Sequence, residues 1–165
     1  MSRLTGKSKV TLGIPTLEDV ERVAATIRPS DRRDMEGLHP GMSIRDIIMR
    51  DVEYSRVVYG LYMGGDIHAV FGVVPLAPGK GVPWLTAATA VDLNPLPFAR
   101  ISRRMLDMVQ KCFPVLDTWV CAENRVSVNW HRWCGFEFAE NRVLVGRDEY
   151  FRAVRRIEII NMEDR

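Results

Sequence analysis

The sequence contains no apolar run near the roughly 18 residues that a membrane-crossing helix needs, which excludes a helical membrane protein. Cysteine is scarce: Cys112, Cys121 and Cys134 are odd in number and scattered, so they predict reduced thiols in the role of small core residues rather than a disulfide framework. His131 and Cys134 lie three apart, but no second Cys/His pair stands at ligand spacing, so no zinc or other metal site is expected. There is no Gly-x-Ser-x-Gly elbow, no P-loop and no dinucleotide fingerprint, which removes the commonest hydrolase, NTPase and oxidoreductase classes. Lysine is almost missing. Only Lys7, Lys9, Lys80 and Lys111 occur among 23 basic residues, the rest being arginine, and the net charge is only +2. That balance argues against bulk nucleic-acid binding, and the arginine bias reflects either a contact-prone surface or the base composition of the gene.

What is present describes an ordinary globular chain. At 165 residues, 47% apolar and 27% charged, the chain is long enough to bury about 70% of its unfolded surface without a staple. Residues 1–9 are polar and basic, with no apolar stretch behind them, and predict a flexible N-terminal segment carrying neither a secretory nor a transit leader. Residues 10–165 predict a single domain, since no linker, repeat or low-complexity stretch divides them.

Val10 to Ile14 predicts a strand, and Thr16 with Asp19 a capping box opening a helix with Leu17, Val20, Ala24 and Ile27 on one stripe. A second helical turn spans Asp31 to Leu38. Ser43 then caps a third helix that buries Ile44, Ile47, Ile48 and Val52. Arg56–Met63 and Ile67–Val74 predict a hairpin turning at Gly64-Gly65-Asp66. Pro75 to Pro83 reads as a loop, and Leu85 to Val91 as a third core strand. Phe98, Ile101, Met105, Met108, Val109 and Cys112 mark a long helix ended by Pro114. Strand (Asp117–Ala122), short helix (Val126–Trp133) and strand (Phe136–Val145) follow, then Tyr150–Ile160, whose period fits strand or helix. The order predicts an α+β fold: a central, mostly antiparallel twisted sheet of six to seven strands, helices on both faces, and one right-handed βαβ unit with a parallel pair.

This order, with Asn124-Arg125-Val126-Ser127-Val128-Asn129-Trp130-His131-Arg132-Trp133-Cys134-Gly135-Phe136, resembles the GNAT acyltransferase superfamily, in which an Asn, a short helix and a Gly-Phe precede the penultimate core strand. A narrower likeness is carried by Asp19 to Ala24, Arg28 to Arg32, Val82-Pro83-Trp84-Leu85, Phe113-Pro114-Val115-Leu116 and Trp130 to Phe136. These segments resemble small GNAT-like internal virion proteins of short-tailed bacteriophages.

The first resemblance implies acetyl-CoA, its pyrophosphate seated on backbone amides at the start of the long helix in a glycine-rich loop. Glycine lets backbone approach phosphate, and a helix start offers free N–H groups and a positive dipole end. The matching stretch here, Asn94 to Ser102, has no glycine, and Pro95 and Pro97 have no N–H to donate. Arg100 and Ser102 fall where small residues belong and become the candidate cofactor contacts, with Asn124 at the family's Asn position. Arg100, Arg103 and Arg104 otherwise read as a solvated helix face. The family's acidic Tyr corresponds to His131, which titrates near neutral pH and could do acid work or simply sit on a surface helix. For a base, Asp92, Glu36, His39 and His68 are candidates that spacing does not separate. Trp119 reads as core, and Trp130 and Trp133, at i and i+3, as a core anchor or a partner patch.

Two functions follow as expectations. One is a phage virion-associated or assembly module with a degenerate acetyl-CoA site, partnered by other virion proteins or by itself, and found in the virion and host cytoplasm. The alternative is an active acetyl-CoA-dependent N-acetyltransferase acting on a small amine or a host protein.

Overall fold

The computed structural model describes residues 9–158, so the expected N-terminal segment 1–9 lies, apart from Lys9, outside the described residues. One seven-stranded sheet organises the chain, in the order β1-β2-β3-β4-β5-β7-β6. Its strands are β1 (Val10–Gly13), β2 (Val57–Met63), β3 (Asp66–Ala77), β4 (Lys80–Ala87), β5 (Val115–Cys121), β6 (Glu137–Val145) and β7 (Asp148–Arg156). Every neighbouring pair is antiparallel except β4 and β5, which are parallel as the βαβ argument requires.

Helices cover both faces. On one, α1 (Leu17–Ala25) and α3 (Ile44–Tyr54) bury Val20, Val23, Ile44, Ile47 and Ile48 against Ile67 and Val70 of β3. On the other, α4 (Pro95–Val109) and α5 (Arg125–Trp133) bury Phe98, Met105, Leu106 and Val128 against Phe71, Leu116 and Val120. Both predicted caps form. Thr16 accepts from the Asp19 N–H while Asp19 accepts from the Thr16 N–H, and Ser43 accepts from the Asp46 N–H. On the α1/α3 side, α2 (Pro29–Leu38) packs Met35 on that cluster, and Asp31 is its one buried residue.

Four expectations are corrected. Pro75 to Pro83 is mostly strand: β3 and β4 turn on Pro78-Gly79, with Gly79 at φ 70°, and Ala88–Val91 leaves the sheet for a 3-10 turn, Thr89–Leu93. Pro83 is tolerated because its missing N–H points to the side of β4 that has no neighbour there. The long helix stops at Val109, because the buried Gln110 turns its amide N–H groups onto the carbonyls of Pro114 and Arg155, both at 3.1 Å. Cys112, expected in the core, is exposed, whereas Cys121 and Cys134 are buried. Of the segment Tyr150–Ile160, whose period fits strand or helix, the part up to Arg156 is strand β7, and residues 159 and 160 lie outside the described residues.

Gly81, where β4 still touches β5, has no room for a side chain. A Cβ there would stand 2.5 Å from Val73 Cγ1 and 2.9 Å from the Phe113 ring. Gly81→Ala is expected to cost about 1–2 kcal/mol by overpacking, read as a lower urea midpoint at unchanged slope.

Candidate functional site

The parallel pair is joined only at its base. Lys80 pairs with Val115 and Gly81 with Leu116, after which β4 runs to Ala87 and β5 to Cys121 without pairing. Asp117 sits at this fork, nearly buried, between Arg152 (2.6 Å) and Lys80 (2.9 Å), and the two cations hold its carboxyl below the usual range. Backbone direction alternates along a strand. Ala88 donates to the His68 carbonyl of β3, whereas the Ala87 N–H is taken by Asp31 Oδ2 (3.1 Å) and the Ala87 carbonyl by the Arg28 N–H (2.9 Å). By that alternation the N–H and carbonyl of Leu85, and the carbonyl of Pro83, face the open fork.

A cavity of about 490 Å³ occupies the fork and passes from one face of the sheet to the other. On the α4/α5 side its walls are Phe71, Leu85, Phe98, Ala99, Trp130 and His131; on the α2/α3 side they are Met35, Leu38, Ile47, Trp84 and Thr86. The volume is in the range of small-molecule sites, and the lining is apolar with a few converging polar groups.

Charge enters this lining on α2 and α3. Asp31 is clamped by Arg28 at 2.9 Å, and Arg28 also reaches Asp92 at 3.4 Å. Asp51 lies 3.5 Å from Arg50, whose guanidinium also rests on the His39 ring. Burial pushes the Asp31, Asp34 and Asp51 carboxyls up and the His39 imidazole down.

His131 lines the cavity on α5. Its Nδ1–H donates to the Ser127 carbonyl at 2.8 Å, and its ring stands edge-on to Trp130 and Phe136 at 4.8 and 4.9 Å. Burial among these rings holds its pKa down to about 4, so the imidazole is neutral at pH 7 with Nε2 as its free acceptor. Ser102 also lines the cavity, but its hydroxyl is engaged, donating to the Ala99 carbonyl (2.8 Å) and accepting from Trp130 Nε1–H (3.0 Å). Asn124 caps α5 by accepting from the Ser127 N–H (3.1 Å) and donates its amide to Asp34 (2.6 Å). Arg100 is exposed on the turn beyond the cavity wall. Arg103 lies over the Trp133 ring at 4.9 Å, and among the described residues Arg100, Arg103 and Arg104 make no ion pair.

The base candidates separate. Glu36 is exposed and paired with Arg32, and His68 stacks on Phe98 away from the lining, whereas His39 and Asp92 do line the cavity. Trp119 is not core: 46% exposed, it stands at the cavity wall, because its strand has lost its neighbour there. Asp34 was missed. It sits in a polar helix without an apolar stripe, so no pattern sets it apart.

No protein-family model matches the chain, and no curated protein matches it. Solved structures do. The spermidine N-acetyltransferase from Vibrio cholerae, in complex with CoA and spermine, superposes with a TM-score of 0.68 at 13% identity, over 90% of this chain and 95% of that one. The ribosomal-protein-alanine N-acetyltransferase from Brucella melitensis gives 0.66 at 12% identity, over 89% and 99%. The PaiA N-acetyltransferase from Thermoplasma acidophilum, in complex with coenzyme A, gives 0.64 at 13%, over 90% and 99%. The chain has the GNAT fold. Within it, the start of α4 is poor in donors. Of its free-amide positions, Pro95 and Pro97 lack an N–H and that of Asn94 is spent on the Val91 carbonyl, so Leu96 alone remains. Among the described residues no helix is long and apolar enough to cross a membrane, and no group of three His, Cys, Asp or Glu is placed to hold a metal ion.

Proposed function

We propose that the protein is an acyl-CoA-dependent N-acyltransferase, with acetyl-CoA as the acyl donor and an amine as the acceptor. The observation that carries this reading is the cavity through the sheet at the β4/β5 fork, with the Leu85 N–H and carbonyl free to pair with an extended amide-bearing arm. All three compared structures are N-acetyltransferases, and two hold coenzyme A. The fit is uneven. The fork suits the arm, while the helix start offers a diphosphate one amide, with Arg100 as a nearby exposed cation. Neutral His131 does not act as the acid at pH 7 in this reading; its Nε2 accepts a hydrogen bond from the reacting groups. Acetyl-CoA is expected to raise the melting temperature saturably, and a panel of primary amines to release free thiol in the presence of the protein. No stabilisation and no thiol release would end the proposal.

A second reading keeps the fold without the chemistry: a virion-associated or assembly module with a degenerate acetyl-CoA site, associating with other virion proteins or with itself. The donor-poor start of α4 favours it, as does the engagement of Asn124 in capping α5 and holding Asp34. It requires the protein in purified virions and no response to acetyl-CoA.

A further inference from the structure

Four aspartates line the cavity, and three of them have a cation: Asp31 and Asp92 have Arg28, and Asp51 has Arg50. Asp34 has none among the described residues. The adjacent Arg33 is turned outward, onto Glu123 (2.7 Å) and Asp148 (2.8 Å). What holds Asp34 is the Asn124 amide, Nδ2 at 2.6 Å, with the Cys121 thiol as a weaker donor beside it. A half-buried carboxylate facing an apolar cavity with no cation paired to it is costly, and an ammonium ligand in the cavity would supply that pair. Along the same helix, Met35 and Leu38 give the cavity an apolar wall, continued by Trp84 of β4.

We propose that Asp34 is the catalytic residue that binds the acceptor as an ammonium ion and takes its proton, the acceptor being a primary amine on an apolar or aromatic body. This deepens the N-acyltransferase reading and rests on it. The ammonium gives one proton to the Asp34 carboxylate, and the freed nitrogen lone pair forms the C–N bond to the thioester carbonyl carbon. The C–S bond then breaks with its pair on sulfur. The second nitrogen proton goes to the thiolate, and Asp34 returns its proton to water. Burial, which raises the Asp34 carboxyl, makes it a better proton acceptor than an exposed aspartate. The groups around it are Asp31 and Arg33 on α2, Cys121 on β5, Asn124 at α5, and Tyr150 and Asp148 on β7.

Asp34→Asn keeps the shape and the acceptor oxygen for Asn124. With phenethylamine and acetyl-CoA, it is expected to lower kcat/KM about 100-fold, leave stabilisation by acetyl-CoA unchanged, and leave the melting temperature equal or higher, since a burial-penalised charge is removed. Asp34→Glu should recover part of the rate, and the acid limb of the wild-type pH profile should be missing from the Asn variant. Transfer by Asp34→Asn within threefold of an active wild type would overturn this inference and leave the acyltransferase reading intact. A loss of melting temperature together with the acetyl-CoA response would instead mark a structural role and also overturn it. A wild type that neither responds to acetyl-CoA nor releases thiol would overturn both.

Discussion

His131→Phe is expected to abolish most of an acid-induced loss of stability that the wild type suffers between pH 6.5 and 4. In the unfolded chain the imidazole titrates near 6.5; in the fold, burial between Trp130 and Phe136 holds it to about 4. The folded state therefore binds fewer protons than the unfolded state across that window. Its stability is fully present above pH 6.5 and drains away as the pH falls to 4, by about 3 kcal/mol for a separation of this size. Phenylalanine fills the same space and does not titrate. At pH 7.5 it gives up only the Nδ1–H bond to the Ser127 carbonyl, about 1 kcal/mol, so the two stability curves should cross as the solution is acidified. Urea unfolding at pH 7.5 and 4.5 tests this. Parallel curves would mean that the imidazole is hydrated in the fold. His39 also has a lowered pKa and leaves a residue of the effect in the variant. The carboxyl groups held low, Asp19 and Asp117, lose their contribution only as the pH falls below about 4, so they do not mimic it.

The same residue marks how far the sequence could be read. That His131 occupies the short helix before Gly135-Phe136 follows from spacing alone. Its neutrality does not, because it depends on rings brought against it by the helix, Trp130, and by the residue that leads into β6, Phe136. The caps at Thr16 and Ser43, the Gly64-Gly65 hairpin and the parallel β4/β5 pair were legible because each rests on local chemistry or on the handedness of one connection. The fork was not legible. Where a parallel pair stops being paired is set by the whole sheet, and both Trp119 and Pro83 take their meaning from it: the tryptophan faces a gap where a core was expected, and the proline costs nothing on an edge with no partner. Asp34 was hidden for a different reason. In helix α2 five polar or charged residues run in succession, Ser30 to Asp34, before Met35, Glu36 and Gly37, and only three-dimensional proximity to Asn124 and the cavity distinguishes one aspartate from its neighbours.

Pro97→Ala is expected to tighten acetyl-CoA binding about 10- to 100-fold. A helix start holds a diphosphate through the amides that have no carbonyl partner, and here the only one left is that of Leu96. Alanine at position 97 restores a second, adjacent N–H at the positive end of the dipole. A charge-assisted hydrogen bond contributes about 1.5–3 kcal/mol net, and each 1.4 kcal/mol is roughly tenfold in Kd. The substitution also removes a proline from a position where no helical hydrogen bond was missing, so the unfolded chain gains freedom and the fold loses about 1 kcal/mol or less. Binding and stability should therefore move in opposite directions, which general improvement in folding could not produce. Pantetheine, which has the arm but no diphosphate, provides the control: its affinity should be unchanged by Pro97→Ala if, as proposed, the arm pairs along the Leu85 edge of the fork. Equal tightening for both ligands would mean that the substitution acts on the fork through α4. No tightening for either would mean that the diphosphate lies elsewhere, and Arg100 would then be the first residue to test for its charge.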